Sequence, residues 1–146
     1  MDGAAVYSGD GDAGGDDAHR LVLGGGGSTV SITARGERML IVLVGEPGCD
    51  LVIEALETGR RQGWLKLSMK TLVDLTRYFG VIDWASLTRM SQVADWAGES
   101  PEKSWVAYLI RNSEFGAIIR AVSALFGRTR HRAFTDRAEA VNWLTG

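Results

Sequence analysis

Cysteine is almost absent from this chain of 146 residues. Cys49 is the only one, so no disulfide can close within the chain, which suits a reducing interior. Histidine is nearly as scarce: His19 and His131 stand far apart with no spacing that a zinc site uses, and no metal ion or other cofactor is expected. Long apolar runs are missing as well. The longest, "MLIVLV", is far shorter than the ~20 residues of a membrane-spanning helix, so stable membrane insertion is not expected. The opening "MDGAAVYSGDGDAGGDDAHR" has no basic region leading into an apolar stretch and does not read as a signal peptide. A cytoplasmic location follows as the expectation. A strong charge of one sign is also lacking: the formal net charge is −2, with about −4 in the first 28 residues and about +2 in the remainder. Neither part looks like a nucleic-acid binder.

What is present suits one domain, since 45% hydrophobic and 23% charged residues in a chain of this length are ordinary for a single core. Residues 1–28 are rich in Gly and Asp, include "GGGGS", and are expected to form a disordered tail that cannot bury enough apolar surface to offset its ordering entropy. The GGGGS unit also has the composition of an engineered flexible linker, although Leu21, Val22 and Leu23 could add an edge strand. The folded domain is expected over residues 29–146. "TVSITA" alternates polar and apolar side chains, and "MLIVLV" follows a turn in which Gly36 can take positive φ. These two form an antiparallel pair. The span Asp50 to Gln62 places Val52, Leu56 and Gly59 at helical spacing, with acidic residues early and Arg60 and Arg61 late, the order that a helix dipole favours.

Alternation resumes from Leu65 to Leu75, with Thr71 and Val73 on one face and Lys70 and Asp74 on the other. A strand is predicted there. Trp84, Leu87, Ser91 and Ala94 make one stripe of a second helix, which Pro101 ends. "WVAYLI" is a further strand, and Phe115, Ile118, Ile119, Val122 and Phe126 share a face of a third helix. "HRAF" is a short strand, and "TDRAEAVNWL" a last helix capped by Thr135 or Asp136 that buries Ala140, Val141 and Leu144. The fold class is therefore α/β: a mostly parallel five-stranded mixed sheet with one antiparallel edge strand, flanked by about four helices.

Four stretches, "LKLSMKTLVDL", "GVIDWASL", "VAYLIRNSEFGAIIRAVSALF" and "HRAFTDRAEAVNWL", together with the element order, resemble the STAS domain in its bacterial SpoIIAA-like branch. The likeness covers about Thr29 to Leu144. It implies a compact sheet with helices on both faces, related to the lipid-binding CRAL-TRIO fold, in an anti-sigma-factor antagonist-like protein. Regulatory members carry an Asp-Ser-Ser-Gly segment whose second serine takes a phosphate. On that alignment Asp83 matches the aspartate, but Ala85 stands where the acceptor serine would be. Ser86 is one residue on, a turn of roughly 100° about a helix axis, and points its hydroxyl elsewhere. Asp83 reads instead as a helix cap.

Tyr78, Phe79 and Ile82, with Val81, form an apolar stretch at the carboxyl end of a strand, where ligands of such sheets bind. Two readings stay open: a contact surface for a partner, a lipid or a second copy, or core residues of a strand that ends later. With Asp83, Trp84 and Ser86 they make the candidate contact site. Most of the five tryptophans read as core, "RTRHR" as a solvated basic run with His131 at the surface, and Cys49 lacks a base to activate it. No nucleophile, base and stabiliser converge, so no enzyme is expected. The leading expectation is a cytoplasmic regulatory module working through protein contacts, as a monomer or homodimer. The alternative is a binder or carrier of an apolar small molecule or lipid.

Overall fold

The computed structural model describes residues 6–10, 18–65, 70–80, 104–111, 119–120 and 129–145. One sheet joins all of their strands. Its strands are β1 (Val6–Asp10), β2 (Ala18–Gly25), β3 (Ser28–Arg35), β4 (Arg38–Gly45), β5 (Lys70–Tyr78), β6 (Ser104–Leu109) and β7 (Thr129–Phe134). They lie side by side in chain order, seven in all rather than the expected five. β1 through β4 pair antiparallel, and β4 through β7 parallel. The antiparallel part is thus half of the sheet and not a single edge strand. Helix α1 (Cys49–Arg61) joins β4 to β5, and α2 (Arg137–Thr145) follows β7. Of the four expected helices, these two are complete among the described residues; Ile119 and Arg120 are helical, and the stripes from Trp84 and from Phe115 otherwise lie outside them.

The disorder expected for residues 1–28 is corrected where the structure describes them, since Val6–Asp10 and Ala18–Gly25 are the strands β1 and β2. Leu21 and Leu23 on β2 are buried against the core, and the tetraglycine is the hairpin that makes this pairing with β3 work. Gly26 and Gly27 are its two loop residues, with φ of 64° and 90°. Positive φ at both loop positions is what a type I′ turn needs, and its twist matches that of the strands it joins. Composition suggested a linker, whereas the backbone uses the glycines as turn residues. Gly45, at the end of β4, also has positive φ (78°), and a Cβ there would lie 2.9 Å from Ser28 Oγ. The chain can pass this close to the β2–β3 turn only because Gly45 has no side chain.

The sheet has two unlike faces. On the first, Val30, Ile32 and Ala34 of β3, Met39, Ile41 and Leu43 of β4, and Val73, Leu75 and Val106 join Val52, Ala55 and Leu56 of α1 in one continuous core. Burying an aliphatic side chain of this size stabilises the fold by roughly 1.5–3 kcal/mol. α1 lies over β2 and β3, so the first core is centred on the antiparallel half. On the second face a smaller cluster of Leu72, Ala107, Leu109, Ala140 and Leu144 sits under α2, with Trp105, Phe134 and Trp143 packed around it. Asp136 caps α2 by accepting from the Ala138 amide at 2.9 Å. Val141, expected in the core, is 38% exposed; it lies one residue beyond Ala140, the helix position that faces the sheet.

Candidate functional site

The parallel strands end together, and the residues that finish β5 decide what stands there. Up to Asp74 the strand alternates as expected, with Thr71, Val73 and Leu75 toward the first core and Leu72 and Asp74 toward the second. Between Val42 and Val44 the register with β4 then shifts: Val42 pairs with Asp74, but Val44 pairs with Arg77. β5 therefore holds one extra residue. Such a bulge reverses the alternation beyond it. Tyr78 turns into the first core and is 6% exposed, and Phe79 is left 59% exposed.

Asp74 holds the bulge. Its carboxylate accepts from the Thr76 amide at 2.9 Å and from the Thr76 hydroxyl at 2.6 Å, so the irregular stretch keeps its polar groups satisfied. The other carboxylate oxygen lies 3.7 Å from the guanidinium of Arg137, on the first residue of α2. The carboxylate also sits near the amino end of that helix, where negative charge is favoured. Phe79 is tied by its backbone amide to Gly45 O at 2.8 Å, and the Arg111 guanidinium stands 4.5 Å from its ring centroid. A cation over an aromatic face holds both side chains in place at modest gain. An exposed aromatic with an ordered cation and the Asp74–Arg137 pair thus share the carboxyl end of the sheet.

Of the residues expected at the site, Phe79 is at the surface and Tyr78 is core. Ile82, Asp83, Trp84 and Ser86 lie outside the described residues. Sequence reasoning missed Arg111, Asp74 and Arg137. Asp74 was visible only as a polar residue in an alternating strand, and neither arginine carried a signal without the tertiary contact.

A second polar pair lies inside the sheet. Tyr108 Oη and His131 Nδ1 are 2.8 Å apart, their rings stacked with centroids 5.6 Å apart. Burial pushes the Tyr108 phenol upward and the His131 imidazole down to about 4. Both are therefore neutral at pH 7, joined by a hydrogen bond between uncharged groups. The surface position expected for His131 is corrected: β7 alternates, so Arg130 and Arg132 point out while His131 points in with Ala133. Trp64 is core as expected, buried, stacked on His19 at 5.5 Å and donating from Nε1 to Gln62 at 2.8 Å.

No family model and no curated protein matches the chain. A solved structure does. It is an uncharacterized protein of the DUF3478 family from Shewanella loihica PV-4, described as having a SpoIIAA-like fold. The alignment has a TM-score of 0.57 at 17% identity and covers 81% of this chain and 94% of that one. The fold is SpoIIAA-like. At that identity the likeness concerns fold alone, and a fold does not carry a function with it. No helix among the described residues is long and apolar enough to cross a membrane.

Proposed function

We propose that this SpoIIAA-like protein is a non-enzymatic cytoplasmic module that binds a protein partner through the carboxyl end of β5, with Phe79 as its anchor. The observation that carries the reading is a large aromatic side chain left 59% exposed directly after a buried strand, beneath the Arg111 guanidinium. Aromatic and arginine side chains dominate the energetics of protein interfaces, and both are already positioned here, which lowers the ordering cost of binding. Ile82, Asp83, Trp84 and Ser86 follow in the sequence, and they are proposed as further contact residues. With Ala85 at the acceptor position, the contact is not switched by phosphate.

The test is recovery of a partner from extracts of the native cell on immobilised protein, comparing the parent with Phe79→Ala and Arg111→Ala. A partner lost or much reduced with both variants supports the reading; equal recovery with all three sinks it. Size-exclusion of the same proteins separates a foreign partner from a second copy. Native mass spectrometry adds one further arm, because extra mass that disappears on denaturation points to a carried small molecule instead. Stoichiometric phosphate on Ser86 in cells would contradict the unswitched contact.

A further inference from the structure

The opposite end of the sheet holds a line of cations drawn from separate strands. Arg35 of β3 pairs in register with Arg38 of β4, and Arg38 with Lys70 of β5. Trp105 of β6 pairs in register with Arg130 of β7. Lys70 reaches the same indole, its Nζ 6.0 Å from the ring centroid, and the Arg130 guanidinium is 5.2 Å from it. All of these lie on the second face, because their strand neighbours Ala34, Met39, Val73, Val106 and His131 face the first. Arg35, Arg38 and Arg130 are exposed, and Lys70 is half-buried. Like charges directly opposite one another on neighbouring strands repel. Among the described residues, no carboxylate pairs with any of the four.

We propose that this row docks an extended acidic segment of a protein partner, laid across the strands. From β3 to β7 are four strand spacings, about 19 Å. An extended chain covers that distance in about six residues, and because alternate side chains face the same way, three or four carboxylates meet the four cations. Three of those cations are arginines, whose fork matches a carboxylate in two hydrogen bonds. Along β4, β5 and β6 the next positions inward, Leu40, Leu72 and Ala107, belong to the cluster that α2 covers, so the row is bounded there by hydrocarbon; on β7 the exposed Arg132 continues the positive charge inward. Trp105, the aromatic group in the line, is engaged by Lys70, Arg130 and Trp143, the last with ring centroids 4.8 Å apart. Single-stranded nucleic acid needs open aromatic faces for its bases to stack upon. This surface is separate from Phe79 and does not depend on the reading of that site.

Fluorescence anisotropy of a labelled oligoglutamate peptide, titrated with the full chain at low salt, tests the row. We expect binding that weakens as salt is raised and is at least about fivefold weaker in R35Q/R38Q, in line with two exposed ion pairs lost. R60Q/R61Q, at two exposed arginines in the last turn of α1, removes the same net charge and leaves binding unchanged. A circular-dichroism melt of R35Q/R38Q no lower than that of the parent secures the comparison. Absence of peptide binding, or equal binding by R35Q/R38Q, overturns the proposal. So does tighter binding of a single-stranded oligonucleotide or of phosphatidylserine vesicles at the same salt, lost in R35Q/R38Q, which would assign the row to phosphate.

Discussion

The two faces of the sheet are made by the same strands and differ in nearly everything else. The first, under α1, is a continuous apolar layer from β2 to β6 whose polar exceptions are paired or enclosed. The second carries a small apolar island under α2, with the Asp74–Arg137 pair at one end and the Arg35, Arg38, Lys70 and Arg130 row at the other. Among the described residues the first face is filled with hydrocarbon, and the second combines its apolar cluster with charge at both ends. On the proposed readings, stability and recognition are divided between opposite sides of one sheet.

Ways to break this comparison can be ranked by size. The largest effect is expected from Ile32→Ala, which empties a fully buried position of the first core and should cost about 2–5 kcal/mol in urea unfolding. Leu144→Ala, in the smaller cluster, should cost less; the reverse order would mean that the second face is the true keystone.

Next comes pH. The folded-state pKa of His131, about 4, lies below its ordinary value of 6.5, so unfolding takes up a proton between those values. Stability is full above about 6.5 and falls through the window to about 4, with a loss on the order of 1–3 kcal/mol once the pair's partial access to water is allowed for. His131→Phe should flatten that slope in melts recorded across the range. An unchanged slope would place the acid sensitivity elsewhere.

Asp74→Ala should cost about 1–3 kcal/mol, because the Thr76 amide and hydroxyl at the bulge lose their acceptor. Asp74→Asn keeps one acceptor oxygen and should recover most of it. Full stability in Asp74→Ala would show that the bulge holds without its carboxylate. Smallest is Phe79→Ala, expected to change the unfolding free energy by no more than about 0.5 kcal/mol, since its ring is largely in water. A large loss there would make Phe79 a core residue and remove the ground for calling it an anchor.

Much of the architecture was legible wherever local chemistry and burial agree. α1 begins and ends within a residue of its expected span because its apolar stripe, early acid and late arginines point the same way. Asp136 as the cap of α2 and the opposite faces of Val73 and Lys70 follow equally local rules. The tail was misread because a glycine-rich stretch has one composition and two uses. Leu21 and Leu23 are too few to fold alone, and they bury only because β3 offers an edge and α1 a lid. Tyr78 was ambiguous for a related reason: an extra residue in β5 has no signature of its own, and the reversal appears only when the strand is laid against β4. His131 sat in a basic run, and its burial followed from the strand that the run became.

By itself, then, the sequence determined that β3 to β7 are strands and α1 and α2 helices, where α1 starts and stops, and which residues of β3 and β4 face inward. These depend on periods of 2 and 3.6 residues and on end charges, all short-range. Tertiary structure alone decided that the glycine-rich start pairs into the sheet, that Tyr78 is core while Phe79 is surface, and that Arg35, Arg38, Lys70 and Arg130 stand in one row. Each of those joins residues remote in the chain, and remote neighbours are set by strand pairing and register, which no local pattern encodes.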